Sequence, residues 1–148
     1  MAAYDAKIGQ AYPGMIANSR PGDGISRIIE DASGVGFGVC VFQGTKDNTV
    51  TKTASAKFRG VTAADITLVH KGADVDKYVK GETVGVRNGG TIWVTNGAVA
   101  VAAGDPVYVT PAGGLTNVSN GGANFHCGDA TFDTTAAAGA LVRLSLSN

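Results

Sequence analysis

Little in this sequence carries charge. Only 16% of its 148 residues are Asp, Glu, Lys or Arg, and 12 acids balance 12 bases. Arg20, Arg27, Arg59, Arg87 and Arg143 are scattered, so the basic patch of a nucleic-acid binder is missing. Zero net charge favours association and suits a chain that packs into an assembly. Cysteine is almost absent. Cys40 and Cys127 cannot make a disulfide framework. Cys40 lies in an apolar stretch and reads as a small hydrophobe, and a Cys40–Cys127 bridge is disfavoured in a reducing compartment. Long apolar runs are missing too. The longest, Ala98 to Ala103, falls far short of the about 20 residues that a membrane-spanning helix needs. The start, Met1-Ala2-Ala3-Tyr4-Asp5-Ala6-Lys7, has neither the basic beginning nor the apolar core of a signal peptide. Synthesis and folding in a cytoplasm are expected. No helical period persists beyond two turns.

What is present is glycine, with 22 residues, and short β-type segments. The tract Val79-Lys80-Gly81-Glu82-Thr83-Val84-Gly85-Val86 recurs in outline as Ala102-Ala103-Gly104-Asp105-Pro106-Val107-Tyr108-Val109. Both read apolar-x-Gly-acid-x-Val-x-Val. Glycine supplies the positive φ of a tight turn, and the acid beside it can bond the turn backbone. The Val-x-Val that follows puts both valines on one face of a strand. Between the copies, Thr91-Ile92-Trp93-Val94-Thr95 is rich in β-branched and aromatic residues, as strands are.

Other strands are expected at Ile25 to Glu30, Val35 to Phe42, Thr49 to Lys52, Phe58 to Val61, Ile66 to Val69, Leu115 to Val118 and Leu141 to Leu146. In Val35 to Phe42, period 2 sends Val35, Phe37, Val39 and Val41 one way and Gly36, Gly38, Cys40 and Phe42 the other. Glycines inside a strand mark a bend or a close neighbour. Asn120 to Gly128 reads as a loop. The fold class expected is all-β: a compact antiparallel β-sandwich or β-barrel of about ten short strands. Residues 25–148 form a single β domain. Residues 1–24 show no persistent period and read as an extended N-terminal arm. Tyr12, Met15 and Ile16 would anchor it, because a purely disordered tail rarely carries such apolar residues, while Pro13 would stiffen it and Arg20 would reach an acidic patch on the partner.

Candidates for chemistry are few. Gly34-Val35-Gly36-Phe37-Gly38 fails as a dinucleotide loop: position 39 is Val39, and no helix follows to meet a phosphate. His126, Cys127, Asp129 and Asp133 are the only clustered metal-ligand types, and His70 is the only other histidine. Their spacing matches no closed zinc pattern, and a Cys–His nucleophile pair would need a third orienting group. No catalytic, cofactor or metal site is expected. Asp23, Glu82 and Asp105 adjoin glycines and are explained by turns. Trp93 reads as core or interface before it reads as a sugar platform.

The chain resembles the structural cement, or head decoration, proteins of tailed bacteriophages. The similar segments are Ala11 to Pro21, Gly34 to Gly38, Gln43 to Val50, Phe58 to Thr62, Tyr78 to Val84, Ile92 to Val94, Val101 to Tyr108, Phe132 to Thr134 and Ala136 to Gly139. They cover most of the chain in order, and Asn120 to Gly128 looks like an insertion. The resemblance implies a β-rich module on the outside of an icosahedral shell. It would bind the major capsid protein, bridge capsomers, and self-associate, as a trimer rather than a dimer. It implies no reaction, no cofactor, no direct nucleic acid and no membrane. Two rival readings come from the residues: a carbohydrate-binding or host-attachment module using Trp93, Tyr78 or Tyr108, and a hydrolase using His126 and Cys127.

Overall fold

The computed structural model describes residues 11–17, 24–65 and 77–146. Arg20, His70 and the strand expected at Ile66 to Val69 lie outside them. The described residues form twelve strands: β1 (Gly24–Ile29), β2 (Val35–Gly36), β3 (Cys40–Gln43), β4 (Thr49–Thr51), β5 (Phe58–Thr62) and β6 (Lys77–Tyr78), then β7 (Thr83–Arg87), β8 (Gly90–Thr95), β9 (Pro106–Val109), β10 (Leu115–Thr116), β11 (Phe125–Phe132) and β12 (Leu141–Leu146). The fold is all-β. Sandwich and barrel were left open as alternatives, and the chain combines a barrel with a separate sheet. β1-β4-β3-β5-β7 close into a barrel, β10-β9-β11-β12-β8 form a five-stranded sheet, and β2 and β6 pair separately.

The duplicated tract explains how the two sheets are seeded. In each copy the acid folds back on its own turn. Glu82 Oε1 accepts the Val79 N–H at 2.7 Å, and Asp105 Oδ2 accepts the Ala102 N–H at 2.9 Å. In each, the acid's own N–H bonds the carbonyl three residues back, at 3.1 Å. Gly81 and Gly104 have φ of 89° and 93°, with open space where a side chain would sit. Glycine is needed there for the backbone angle, not for room. One copy then delivers Val84 and Val86 to the barrel core, the other Val107 and Val109 to the core under the second sheet.

β3 divides its faces between the two cores. Val41 joins the barrel cluster with Val35, while Cys40 and Phe42 join the other. This matches the two-way partition expected for Val35 to Phe42, but the segment is not one strand. Phe37 and Gly38 form a turn, with Gly38 at φ 67°, which separates β2 from β3. The barrel also holds one parallel pair, β1 with β4, among otherwise antiparallel pairings. Glu30 pins it: Oε2 accepts the Thr45 N–H, the Thr45 hydroxyl and the Thr49 hydroxyl at 2.9–3.0 Å. Those bonds, led by the Thr45 N–H, hold the Glu30 carboxyl below its ordinary range.

The Asn120 to Gly128 loop is a correction. A single 3-10 turn, Asn120–Gly122, leads into β11, so His126 and Cys127 are strand residues. The strand was hidden by a bulge. Pairing with β9 shifts register between His126 and Thr131, and Gly128 in that interval has φ 57°. A bulge takes glycine and acids where a regular strand would not.

Candidate functional site

β8 is an edge strand of the second sheet. An open edge offers unpaired N–H and C=O groups. Residues 11–17 cover it. The Gly14 N–H donates to the Trp93 carbonyl at 2.8 Å, the Trp93 N–H to the Met15 carbonyl at 2.9 Å, and the Ala17 N–H to the Thr91 carbonyl at 3.2 Å. Ile16 makes an antiparallel bridge to Ile92. From the other side, the Ala64 N–H donates to the Gly14 carbonyl at 2.9 Å. This part of the expected arm therefore lies along the β domain's own edge.

Glycine makes the clip possible. Gly14 turns at φ 82°, and a Cβ there would stand 2.7 Å from the Ala64 nitrogen. A Cβ on Gly38 would stand 2.5 Å from the Gly14 nitrogen. Two backbones touch, which is the close-neighbour meaning of a glycine between strands. Pro13, in the same turn as Gly14, helps bound a cleft of about 220 Å³ with Phe37, Gly38 and Leu115.

The clip sorts its side chains. Pro13 and Met15 are half-buried, whereas Tyr12 and Ile16 are exposed by 45% and 43%. Large exposed hydrophobics are scarce among the described residues: the others are Val99 and Val118. Two of the four thus share one short segment whose backbone is fixed by hydrogen bonds. Of the five residues expected to act in the arm, Tyr12, Pro13, Met15 and Ile16 come together here. The sequence marked Gly38 as a bend or close neighbour, but not that its neighbour is Gly14, nor that Ala64 and the β8 backbone hold the segment. The signal available was Gly38 within an apolar stretch.

The rival sites fare differently. His126 and Cys127 point to opposite faces of β11. His126 is exposed and stacks on Tyr108, with ring centroids 4.8 Å apart, while Cys127 is buried. Hydrogen bonding to Cys40, burial and the charge of Cys40 all push the Cys127 thiol upward, away from the thiolate a nucleophile needs. Asp133 pairs with Arg143. No group of three or more His, Cys, Asp or Glu able to hold a metal occurs among the described residues.

The aromatic candidates are engaged. The Arg143 guanidinium lies over the Trp93 ring, 6.0 Å from its centroid. Tyr78 is only 2% exposed, packs edge-on to Phe37, and donates its hydroxyl to the Ala63 carbonyl at 2.5 Å. It is a core residue and cannot face a sugar. Burial, with the charges of Asp65 and Glu82, pushes its hydroxyl up to about 12 from 10.0. The neutral phenol is the form the fold prefers. Its contribution is complete below about pH 10 and is lost as pH rises towards about 12. Tyr78→Phe should cost about 1 kcal/mol, because the Ala63 carbonyl loses its donor. It should also flatten the alkaline loss of stability, as urea unfolding between those pH values would show. Wild-type slope in the variant would contradict this role.

A family model described as structural cement protein (E217 gp24/Pam3 gp6) matches residues 2–147. Among solved structures, a chain of "The capsid of Myoviridae Phage XM1" is similar at 18% identity with a TM-score of 0.72. The similarity covers 100% of this chain and 99% of that one. At that identity the likeness concerns the fold. No curated protein matches.

Proposed function

The chain belongs to the structural cement protein family of phages, and from that premise we propose how it acts. It is a structural component of the phage capsid. In our reading it binds the outer surface of the shell, contacts the major capsid protein, and bridges neighbouring capsomers without catalysing a reaction. It works as a homo-oligomer, with a trimer at local threefold positions favoured over a dimer.

One observation carries the contact surface: Tyr12 and Ile16 stand exposed on a clipped segment. An anchor held by its backbone loses little conformational freedom when a partner covers it. Aromatic and aliphatic side chains of this kind dominate interface energies. Each copy need bind only modestly, because symmetric multivalent contacts add up across a shell. The neutral surface suits this role, since no long-range repulsion opposes dense packing. Arg20 is proposed to reach an acidic patch of the partner.

Copy number tests the role most cheaply. Quantitative mass spectrometry of purified heads should find the protein in fixed proportion to the major capsid protein. Heads assembled without it should release DNA at a lower temperature. A few copies per particle, confined to tails, would instead favour the host-attachment reading.

A further inference from the structure

Three asparagine–glycine pairs occur in the chain: Asn88-Gly89, Asn96-Gly97 and Asn120-Gly121. In such a pair the glycine nitrogen can attack the asparagine side-chain carbonyl, because glycine has no Cβ to obstruct the approach or the backbone rotation it needs. The fold treats the three pairs differently. Asn96 is 3% exposed, and its Nδ2 donates to the Val99 carbonyl at 2.8 Å and to the Ala137 carbonyl at 3.0 Å. Gly97 is packed so closely that a Cβ there would stand 2.1 Å from the Leu115 carbonyl oxygen. Little room is left for that backbone to turn. Asn88 is half-buried, and the buried Gly89 is tied by its carbonyl, which accepts the Arg87 Nε–H at 3.0 Å.

Asn120-Gly121 escapes these restraints. It lies in the 3-10 turn Asn120–Gly122, at the start of the segment that looks like an insertion in the sequence. Ser119 to Ala123 are all exposed. The Asn120 side-chain amide has no partner among the described residues. A Cβ on Gly121 or Gly122 would meet nothing within 4 Å. Asn120 itself sits at φ 51°, a left-handed angle that asparagine tolerates better than most residues.

We propose that Asn120 is a deamidation site, and that the fold directs the reaction to it and away from the other two pairs. The Gly121 nitrogen forms a bond to the side-chain carbonyl carbon of Asn120. The bond from that carbon to Nδ2 breaks, and ammonia leaves with the proton given up by the Gly121 nitrogen. A five-membered imide remains. Water then opens it at either carbonyl, giving aspartate or isoaspartate. The balance is one asparagine and one water in, one acidic residue and one ammonia out. The neutral chain gains one negative charge. The isoaspartate product also lengthens the backbone at the turn that leads into β11. No enzyme is needed, so the charge accumulates with the age of each copy.

The test uses the full chain, incubated at mildly alkaline pH, once folded and once in guanidinium chloride. Folded protein should gain about 1 Da, and peptide mapping should place the gain at Asn120. Asn88 and Asn96 should react at least about tenfold more slowly in the folded chain, because each must first open locally. In denaturant the three pairs should react at similar rates. Asn120→Gln should remove the early gain from folded protein, since glutamine must close a larger ring. The comparison of folded with denatured wild type stands even if that variant folds poorly. Folded protein in which Asn88 or Asn96 reacts as fast as Asn120 would overturn the proposal. So would an Asn120 that reacts in denaturant but stays intact when folded.

Discussion

Tyr12→Asp combined with Ile16→Asp should strip the protein from phage heads while leaving it folded. Both side chains are nearly half exposed, so charge there costs the isolated chain little, within about 0.5 kcal/mol. The backbone bonds that hold the segment, from Gly14, Met15 and Ala17, involve neither side chain. On the shell the same carboxylates would be buried against an apolar partner surface, where an unpaired charge is strongly disfavoured. Loss of a central anchor typically costs about 2 kcal/mol or more, about thirtyfold in affinity. Two such losses should weaken decoration on the order of a thousandfold, though neighbouring losses need not add fully. Cosedimentation of purified protein with undecorated heads measures this directly. Val118→Asp is the control. Val118 is 50% exposed and follows β10, at the opposite edge of the second sheet from β8. That variant should still bind. If it fails and the double variant binds, the contact lies on the β10 edge.

The second large effect concerns the clip itself. Gly38→Ala should destabilise the chain by about 2–4 kcal/mol and release residues 11–17 from β8. Two penalties combine. Gly38 has φ 67°, which an alanine adopts at a cost, and its Cβ would stand 2.5 Å from the Gly14 nitrogen and 2.9 Å from the Pro13 carbonyl carbon. Neither obstacle is a flexible side-chain tip; both are backbone. The strain is relieved only if the Pro13-Gly14 turn moves away, which breaks the bonds to Trp93 and Ala64. Hydrogen exchange should then show the Trp93 and Ala64 amides losing protection, with the barrel amides less affected. Decoration should fall with them, since Tyr12 and Ile16 lose their fixed position. An unchanged melting point with full protection at Trp93 would show that the contact with Gly38 does not hold the segment. Removing residues 1–20 altogether should also abolish decoration. The β domain should remain folded but aggregate more readily, because β8 would then present an open edge.

The duplicated tract was the most legible part of the fold. Its glycine, acid and paired valines each act locally, so their pattern reads directly as turn, bond and half-buried strand. The closing strand was legible for the same reason: Val142, Leu144 and Leu146 alternate inward as their spacing requires. β11 was not, because Gly128 and Asp129 at the bulge carry loop chemistry inside a strand. The split of Val35 to Phe42 was half legible. Its alternation survives, but the turn at Phe37-Gly38 is imposed by the Pro13-Gly14 backbone pressed against it, a contact that side-chain patterns do not record. The clip was obscured likewise. Residues 11–17 pair with β8 mainly through backbone groups, which every sequence has. Tyr12 and Ile16 stood out in the sequence because large apolar residues in a small-residue, turn-rich stretch require an explanation; the structure leaves both exposed.

A cryo-electron-microscopy map of the intact phage head, at a resolution that shows side chains, tests the central claim most directly. The account predicts the β module on the outer surface, repeated across the lattice and straddling neighbouring capsid subunits. Tyr12 and Ile16 should be buried against one of those subunits or against a neighbouring copy of this chain. A shell whose outer surface lacks the module, or a module seated with Tyr12 and Ile16 facing solvent, would contradict it.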